Sequence, residues 1–275
     1  MKAALTSAAW IGLAVTTGCI PSLAQLRDNT EKRMTCEDHG GGGGQARHCD
    51  IREQTVASVG RLNVDAGTNG GATVKGWLRS DVLVRARVDA AGDTEAAAAQ
   101  MASQVKVDSS GGQVRATGPD SGHNSWWSVS YEIFVPQNSD LEVKTHNGGV
   151  MISDVRGAIH FDVTNGGVHL KRVAGDVTGA TVNGGLHVEL GGAVWDGRQL
   201  DVSTLNGGVK LEVPSTYSAH IQAETQNGGL HSDFAAPVDT NEKPRRLDFT
   251  VGSGGAPIHV ATTNGGVSVT RIESQ

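Results

Sequence analysis

The sequence predicts an all-β chain: a β-solenoid of stacked rungs of about 18–23 residues, capped at its N-terminal side by less regular strands and a short helix. Three observations carry this expectation. Glycine supplies 38 of the 275 residues, about twice the usual ~7% share. The triplet Asn-Gly-Gly recurs at Asn69, Asn147, Asn165, Asn183, Asn206, Asn227 and Asn264. On both sides of the later triplets, apolar residues alternate with polar ones at the period of a half-buried strand. There is no Gly-X-Y period, so collagen is excluded, and the alternating Val, Ile and Leu positions argue against general disorder.

Residues 1–24 read as an export signal. Lys2 opens a short basic region, an apolar stretch runs from Ala3 to about Val15, and Ser22-Leu23-Ala24 is a small-x-small cleavage site. A competing reading makes Thr16-Thr17-Gly18-Cys19 a lipobox with lipid on Cys19, although Thr16 stands where leucine is usual. Membrane anchoring is expected only if Cys19 is lipidated, because no later stretch reaches the ~18–20 apolar residues of a spanning helix.

Residues 25–54 read as a glycine-rich leader. Cys36 and Cys49 are the even pair left in the mature chain, and an oxidising compartment favours a disulfide between them. A metal site with His39 and His48 has the wrong spacing for a zinc knuckle. The run Gly40 to Gly44 lacks the Gly-Lys-Ser/Thr ending of a phosphate loop and reads as a spacer.

Residues 55–275 form the expected main domain, with 55–140 as a cap region and 141–275 as the repeats. In the cap, strands are predicted at Arg61 to Val64, Ala72 to Val74, Asp81 to Val88, Gln104 to Val107, Gln113 to Thr117 and Ser128 to Val135. The Asn69 turn is read as out of step with the later columns. Asp93 is positioned to cap a helix over Thr94 to Gln104. Trp126 and Trp127 are adjacent, so at most one is expected deep in the core, the other being free for the cover or for a ligand.

In the repeats, the triplets from Asn147 onward lie 18, 18, 23, 21 and 37 residues apart. Aligned on the Asn, the position six before holds Leu141, Ile159, Val177, Leu200, Ile221 and Ile258, and the position three after holds Val150, Val168, Leu186, Val209, Leu230 and Val267. Each unit is thus strand, Asn-Gly-Gly turn, strand. The turn residues are Asn147 and Gly148, Asn165 and Gly166, Asn183 and Gly184, Asn206 and Gly207, Asn227 and Gly228, and Asn264 and Gly265. Asn-Gly is expected to supply positive φ, with the second glycine allowing close approach of neighbouring turns. Alternation alone leaves a second architecture open, an antiparallel meander or sandwich with type I′ hairpins at Asn-Gly.

The segments 64–71 (Val-Asp-Ala-Gly-Thr-Asn-Gly-Gly), Val74-Lys-Gly-Trp77, the strand Trp127-Ser-Val-Ser-Tyr131 ending at Pro136, and the repeated Thr-x-Asn-Gly-Gly-Val units resemble the bacterial putative-adhesin domain. That domain of unknown function is similar to the head domains of predicted autotransporter adhesins. The resemblance covers about residues 55–275, and Cys36 to Cys49 followed by Asp50-Ile-Arg-Glu looks like the leader of exported members. It implies a β-solenoid in the cell envelope and carries over no catalytic residue and no cofactor.

The net charge of −6 argues against a nucleic-acid partner. The expected function is a non-catalytic, exported envelope protein of adhesin-like type, located in the periplasm, on the outer-membrane surface or secreted, with a protein or glycan partner. The alternatives are a polysaccharide-active or metal-assisted enzyme on a β-helix scaffold, or a periplasmic envelope-stress sensor or regulator. The enzyme alternative has one foothold: a solenoid places His169 and His187 on adjacent rungs with Glu189 beside them, a possible zinc ligand set set against the plainer reading of an exposed polar column.

Overall fold

In the computed structural model, the described residues are 34–36, 44–235, 238–239 and 245–273. The expected signal segment 1–24, Cys19 and most of the glycine run lie outside them. The cap comprises β1 (Ala46–Ala57), β2 (Arg61–Asp65), β3 (Ala72–Trp77), β4 (Asp81–Gly92), helix α1 (Glu95–Gln104), β5 (Lys106–Asp108), β6 (Gln113–Thr117) and β7 (Trp126–Pro136). The repeats follow as pairs: β8 (Asp140–Asn147) with β9 (Val150–Ser153), β10 (Arg156–Asn165) with β11 (Val168–Lys171), and β12 (Ala174–Asn183) with β13 (Leu186–Glu189). Next come β14 (Gln199–Asn206) with β15 (Val209–Pro214) and β16 (Ala219–Asn227) with β17 (Leu230–Ser232). The chain closes with β18 (Val238–Asp239), β19 (Arg245–Val251), and the pair β20 (Pro257–Asn264) and β21 (Val267–Ile272).

Each rung gives one strand to each of two long sheets. The first runs β1-β4-β7-β3-β9-β11-β13-β15-β21-β17, and the second β18-β19-β16-β20-β14-β12-β10-β8-β2-β6-β5. Neighbouring rungs pair in parallel, residue on equivalent residue: Leu141 beside Ile159, Ile159 beside Val177, Val177 beside Leu200. This makes the repeats a solenoid and excludes the hairpin meander, whose neighbouring strands would be antiparallel. Antiparallel pairing is found at the ends, in β1-β4-β7 and β16-β19. The inward columns form a continuous core, in which Leu141, Ile159, Phe161, Leu170, Leu200 and Ile221 are almost wholly buried.

Four details differ from the sequence expectation. First, Asn69 belongs to the ladder: Val64 pairs with Val143 and Asn69 with Asn147. Asn69 lies five positions after Val64 where Asn147 lies four after Val143, and the extra residue is taken up at Gly67, whose φ is +69°. The result is a bulge rather than a loss of register. Second, the rungs do not stack in chain order, because β20 lies between β14 and β16, and β21 between β15 and β17. The 37-residue interval before Asn264 holds β18 and β19, and the last unit then returns to lie between the Asn206 and Asn227 rungs, next to last in the stack.

Third, the helix begins one residue later than expected. Thr94, not Asp93, is its N-cap, accepting a hydrogen bond from Ala97 N at 3.1 Å. At its other end Arg52 of β1 donates to the carbonyls of Val105 and Ala102, so the strand caps the helix. Fourth, β1 runs through the expected boundary at 54/55, pairing with β4 over its full length. The second half of the expected leader is therefore a strand of the first sheet.

Candidate functional site

The corner of each rung is where the repeat's chemistry concentrates. The asparagine side chains form a ladder in which each amide donates to the next: Asn147 to Asn69 at 3.0 Å, Asn165 to Asn147, Asn183 to Asn165, Asn206 to Asn183 and Asn264 to Asn206 at 2.8 Å, and Asn227 to Asn264 at 3.0 Å. Buried threonines two positions before the Asn donate to the first glycine's carbonyl on the adjoining rung, as in Thr181 to Gly166 O at 2.9 Å and Thr204 to Gly184 O at 2.8 Å. The first glycine's N–H reaches the adjoining asparagine carbonyl, as in Gly166 N to Asn183 O at 2.9 Å. Corner backbone groups that leave water are thereby paired.

The expected reason for glycine needs correcting on two points. No Asn or Gly of the triplets has φ in the left-handed region, so the turn does not depend on positive φ. From Asn147 onward the close approach belongs to the first glycine rather than the second; in the Asn69 triplet Gly71 shares it, a Cβ there standing 2.9 Å from Gly149 O. A Cβ at Gly166 would stand 2.0 Å from Gly148 O, and one at Gly184 2.0 Å from Gly166 O. At the second position, a Cβ on Gly167 would meet Gly185 O at 3.5 Å and one on Gly185 would meet Gly208 O at 3.6 Å, which is ordinary contact. The non-glycine corners on the other edge do carry positive φ, at Asp154 (58°) and Arg172 (50°), and these two side chains are tied by two hydrogen bonds of 2.8 Å.

The second glycines point outward from the first sheet, alternating with the position that holds Met151, His169, His187, Lys210 and Ser268. Together they line an open trough of about 840 Å³ that extends from Thr73 of β3 to Ser268 of β21. Bare backbone makes its floor at Gly149, Gly167, Gly185 and Gly208, and the His, Met and Lys side chains make a ridge along it.

On that ridge the rings of His169 and His187 lie stacked, with centroids 4.3 Å apart and planes within 7°. Burial, then repulsion from His187, holds the His169 imidazole below the usual histidine range. His187 Nε2 lies 3.0 Å from Glu212 Oε2, a carboxylate that burial alone would raise but that Lys210 and His187 hold below its ordinary value. Glu189 is turned to Lys171 at 2.9 Å and Arg172 at 3.7 Å. The three sequence candidates thus share one face, but parallel imidazoles and a carboxylate engaged by cations do not converge on a point. Among the described residues no group of three His, Cys, Asp or Glu side chains does so.

Cys36 and Cys49 are joined by a disulfide, with Cα atoms 5.8 Å apart. Trp126 and Trp127 are both half-buried. Trp127 packs on the core and donates to Pro119 O at 2.7 Å, while Trp126 reaches Gln45 at 3.3 Å under the Arg47 guanidinium. A charged group on the cap has no counterpart in the sequence reading. Buried Glu132 of β7 accepts from Lys75 of β3 at 3.0 Å and from Arg85 of β4 at 3.1 Å, and Arg85 also reaches Glu53 of β1 at 2.7 Å. The four residues come from four strands, and no local spacing announces them. The trough did leave a signal, namely a second glycine retained in every triplet.

Solved structures of related shape include a putative cell adhesion protein from Clostridium sporogenes, 10% identical with a TM-score of 0.43, covering 82% of this chain and 100% of that one. A putative lipid binding protein from Parabacteroides distasonis is 9% identical with a TM-score of 0.35, covering 82% and 97%. A putative adhesin from Bacteroides fragilis is 11% identical with a TM-score of 0.30, also covering 82% and 97%. Comparison with curated proteins gives no match. The Toastrack DUF4097 family matches residues 92–270. That span takes in α1 and every repeat from β8 to β21, and with more than half of its length matched the chain belongs to the Toastrack DUF4097 family.

Proposed function

We propose that the chain is a non-catalytic, exported cell-envelope protein of adhesin-like type, which presents a rigid, repetitive β surface for protein, glycan or self-association. The observation that carries this reading is the trough and its ridge: equivalent positions of successive rungs build one long open surface instead of an enclosed pocket. Catalytic sites of hydrolases and lyases gather carboxylates or a base around one bond. On this face the acids are distributed along the stack and engaged by neighbouring cations, Glu189 by Lys171 and Glu212 by Lys210. The Cys36–Cys49 disulfide supports an oxidising compartment. No helix among the described residues is long and apolar enough to cross a membrane.

Fractionation of the native cells, with thiol labelling of the recovered protein, tests the reading. The chain is expected in the envelope or medium fraction, with Cys36 and Cys49 protected from alkylation unless reduced. A cytoplasmic protein with both thiols free would overturn it.

A further inference from the structure

In six of the seven triplets the second glycine has no steric reason to be glycine; the exception is Gly71, where a Cβ would stand 2.9 Å from Gly149 O. At Gly149, Gly167, Gly185, Gly208 and Gly266 an added Cβ would meet its nearest neighbour at 3.4–3.6 Å, at Gly229 nothing lies within 4 Å, and none of these residues has a left-handed φ. Glycine in a strand-flanking position otherwise costs stability through chain entropy. Its retention in these six rungs calls for a cause outside the fold; all six glycines are exposed, and Gly149, Gly167, Gly185 and Gly208 line the trough.

Two further features mark the trough as a site. Among the described residues, the first-glycine N–H groups of Gly148, Gly166, Gly184, Gly207 and Gly265 are paired, whereas the N–H groups of Gly149, Gly167, Gly185, Gly208 and Gly266 donate to no acceptor in the protein. They form a row of backbone donors repeating at the rung spacing, about 4.8 Å. On the ridge, His169 Nε2 is shut off from solvent and has no hydrogen-bond partner.

We propose that the trough binds a linear, uncharged β-1,4-linked glycan laid along the stacking axis. The inference rests on the non-catalytic surface reading and names its ligand. Six rungs, from Thr73 to Ser268, give the trough a length of about 24 Å. An extended β-1,4 chain is a flat ribbon that advances by nearly one rung per sugar ring, so each ring can offer an oxygen to one glycine N–H. Its C–H faces fit a floor without side chains. An extended peptide repeats its same-face side chains every ~6.7 Å, which falls out of step with the donors. Lys171 and Lys210 are matched by Glu189 and Glu212, leaving no surplus of one sign to select a charged polymer.

The test is calorimetric titration of the full chain with cellohexaose, chitohexaose, their disaccharides, and α-1,4-linked maltohexaose. At least one β-1,4 hexasaccharide is expected to bind at least about tenfold more tightly than its disaccharide and than maltohexaose. Gly167→Leu and Gly185→Leu fill the trough and are each expected to lower that affinity about tenfold or more, with a melting temperature close to the parent's. Should either fail to fold, His169→Ala on the half-buried ridge serves the same comparison. No binding by either β-1,4 hexasaccharide, or binding untouched by folded trough variants, overturns the proposal. So does a dimer in light scattering that the trough variants dissociate, because the occupant is then a second copy. Chromatography of the recovered sugar separates the two readings: shortened chains contradict the non-catalytic surface, whereas intact, unbound chains contradict only the glycan trough.

Discussion

At the residue scale, each position of the triplet does a different job. Asn69 through Asn264 carry the side-chain ladder, the first glycine admits the neighbouring rung, and the second leaves the trough open. The sequence shows that all three recur but not which neighbour each one touches, so a reading from the chain alone assigns the close approach to the second glycine instead of the first and expects a positive φ that none of them has. Gly179 is a similar instance. Its column otherwise holds Val143, Phe161, Val202, Ala223 and Val260, and the gap is explained only by register, since a Cβ there would stand 2.5 Å from the Phe161 ring. His169 offers a pH test at this scale. Its imidazole is held below the usual range by burial and by His187, with Lys171 also opposing the proton and Glu189 and Glu212 favouring it. A base with a depressed folded pKa stabilises the fold above its unfolded value of about 6.5 and loses that contribution as pH falls. Between pH 7.5 and 5.5, denaturant midpoints of the parent are therefore expected to fall more than those of His169→Gln. Parallel curves would show that His169 protonates freely in the native state.

At the element scale, the repeat strands were legible because one face is apolar at period two and the triplet punctuates each unit. Cap strands such as β4 and β7 were harder to delimit, since Val82, Leu83 and Val84 are all buried and alternation is lost where both faces are covered. The Glu132 group shows what this conceals. It joins β1, β3, β4 and β7 across the outer face of the cap, where two cations share one buried carboxylate. Glu132→Ala leaves Lys75 without its partner and Arg85 with only Glu53, at an expected cost of about 3 kcal/mol. Calorimetric melting should register this as a drop of about 6–12 °C. A shift under 2 °C would mean that the group is solvated and contributes little.

At the scale of the whole molecule, the fold class could be read from the spacing of the triplets, whereas the order of the rungs could not. Parallel columns of equivalent residues are compatible with any order of stacking, and only the long interval before Asn264 hints at a detour. The inserted rung has a consequence for truncation. In a solenoid stacked in chain order, removing the last unit trims one end. Here, among the described strands, β20 and β21 are the parallel partners of β16 and β17, and beside them only the Val194–Ser218 bridge ties this part to an earlier rung, so a chain ending at Ser253 takes β16, β17 and β19 out of the continuous pairing of both sheets. Limited proteolysis of that truncated chain is expected to cut rapidly within 216–250 while the rungs through β13 stay protected. Protection of 216–250 equal to that in the full chain would contradict the observed order.

The central claim is that in the triplets from Asn147 onward the first glycine is the contact on which the rungs stack and the second is not. It is tested most directly by equilibrium denaturation of Gly166→Ala beside Gly167→Ala, two identical changes at adjacent residues of one corner. The expected result is a loss of about 3 kcal/mol or more at Gly166 and a change within about 0.5 kcal/mol at Gly167. Equal losses at the two positions, or the larger loss at Gly167, would contradict the account.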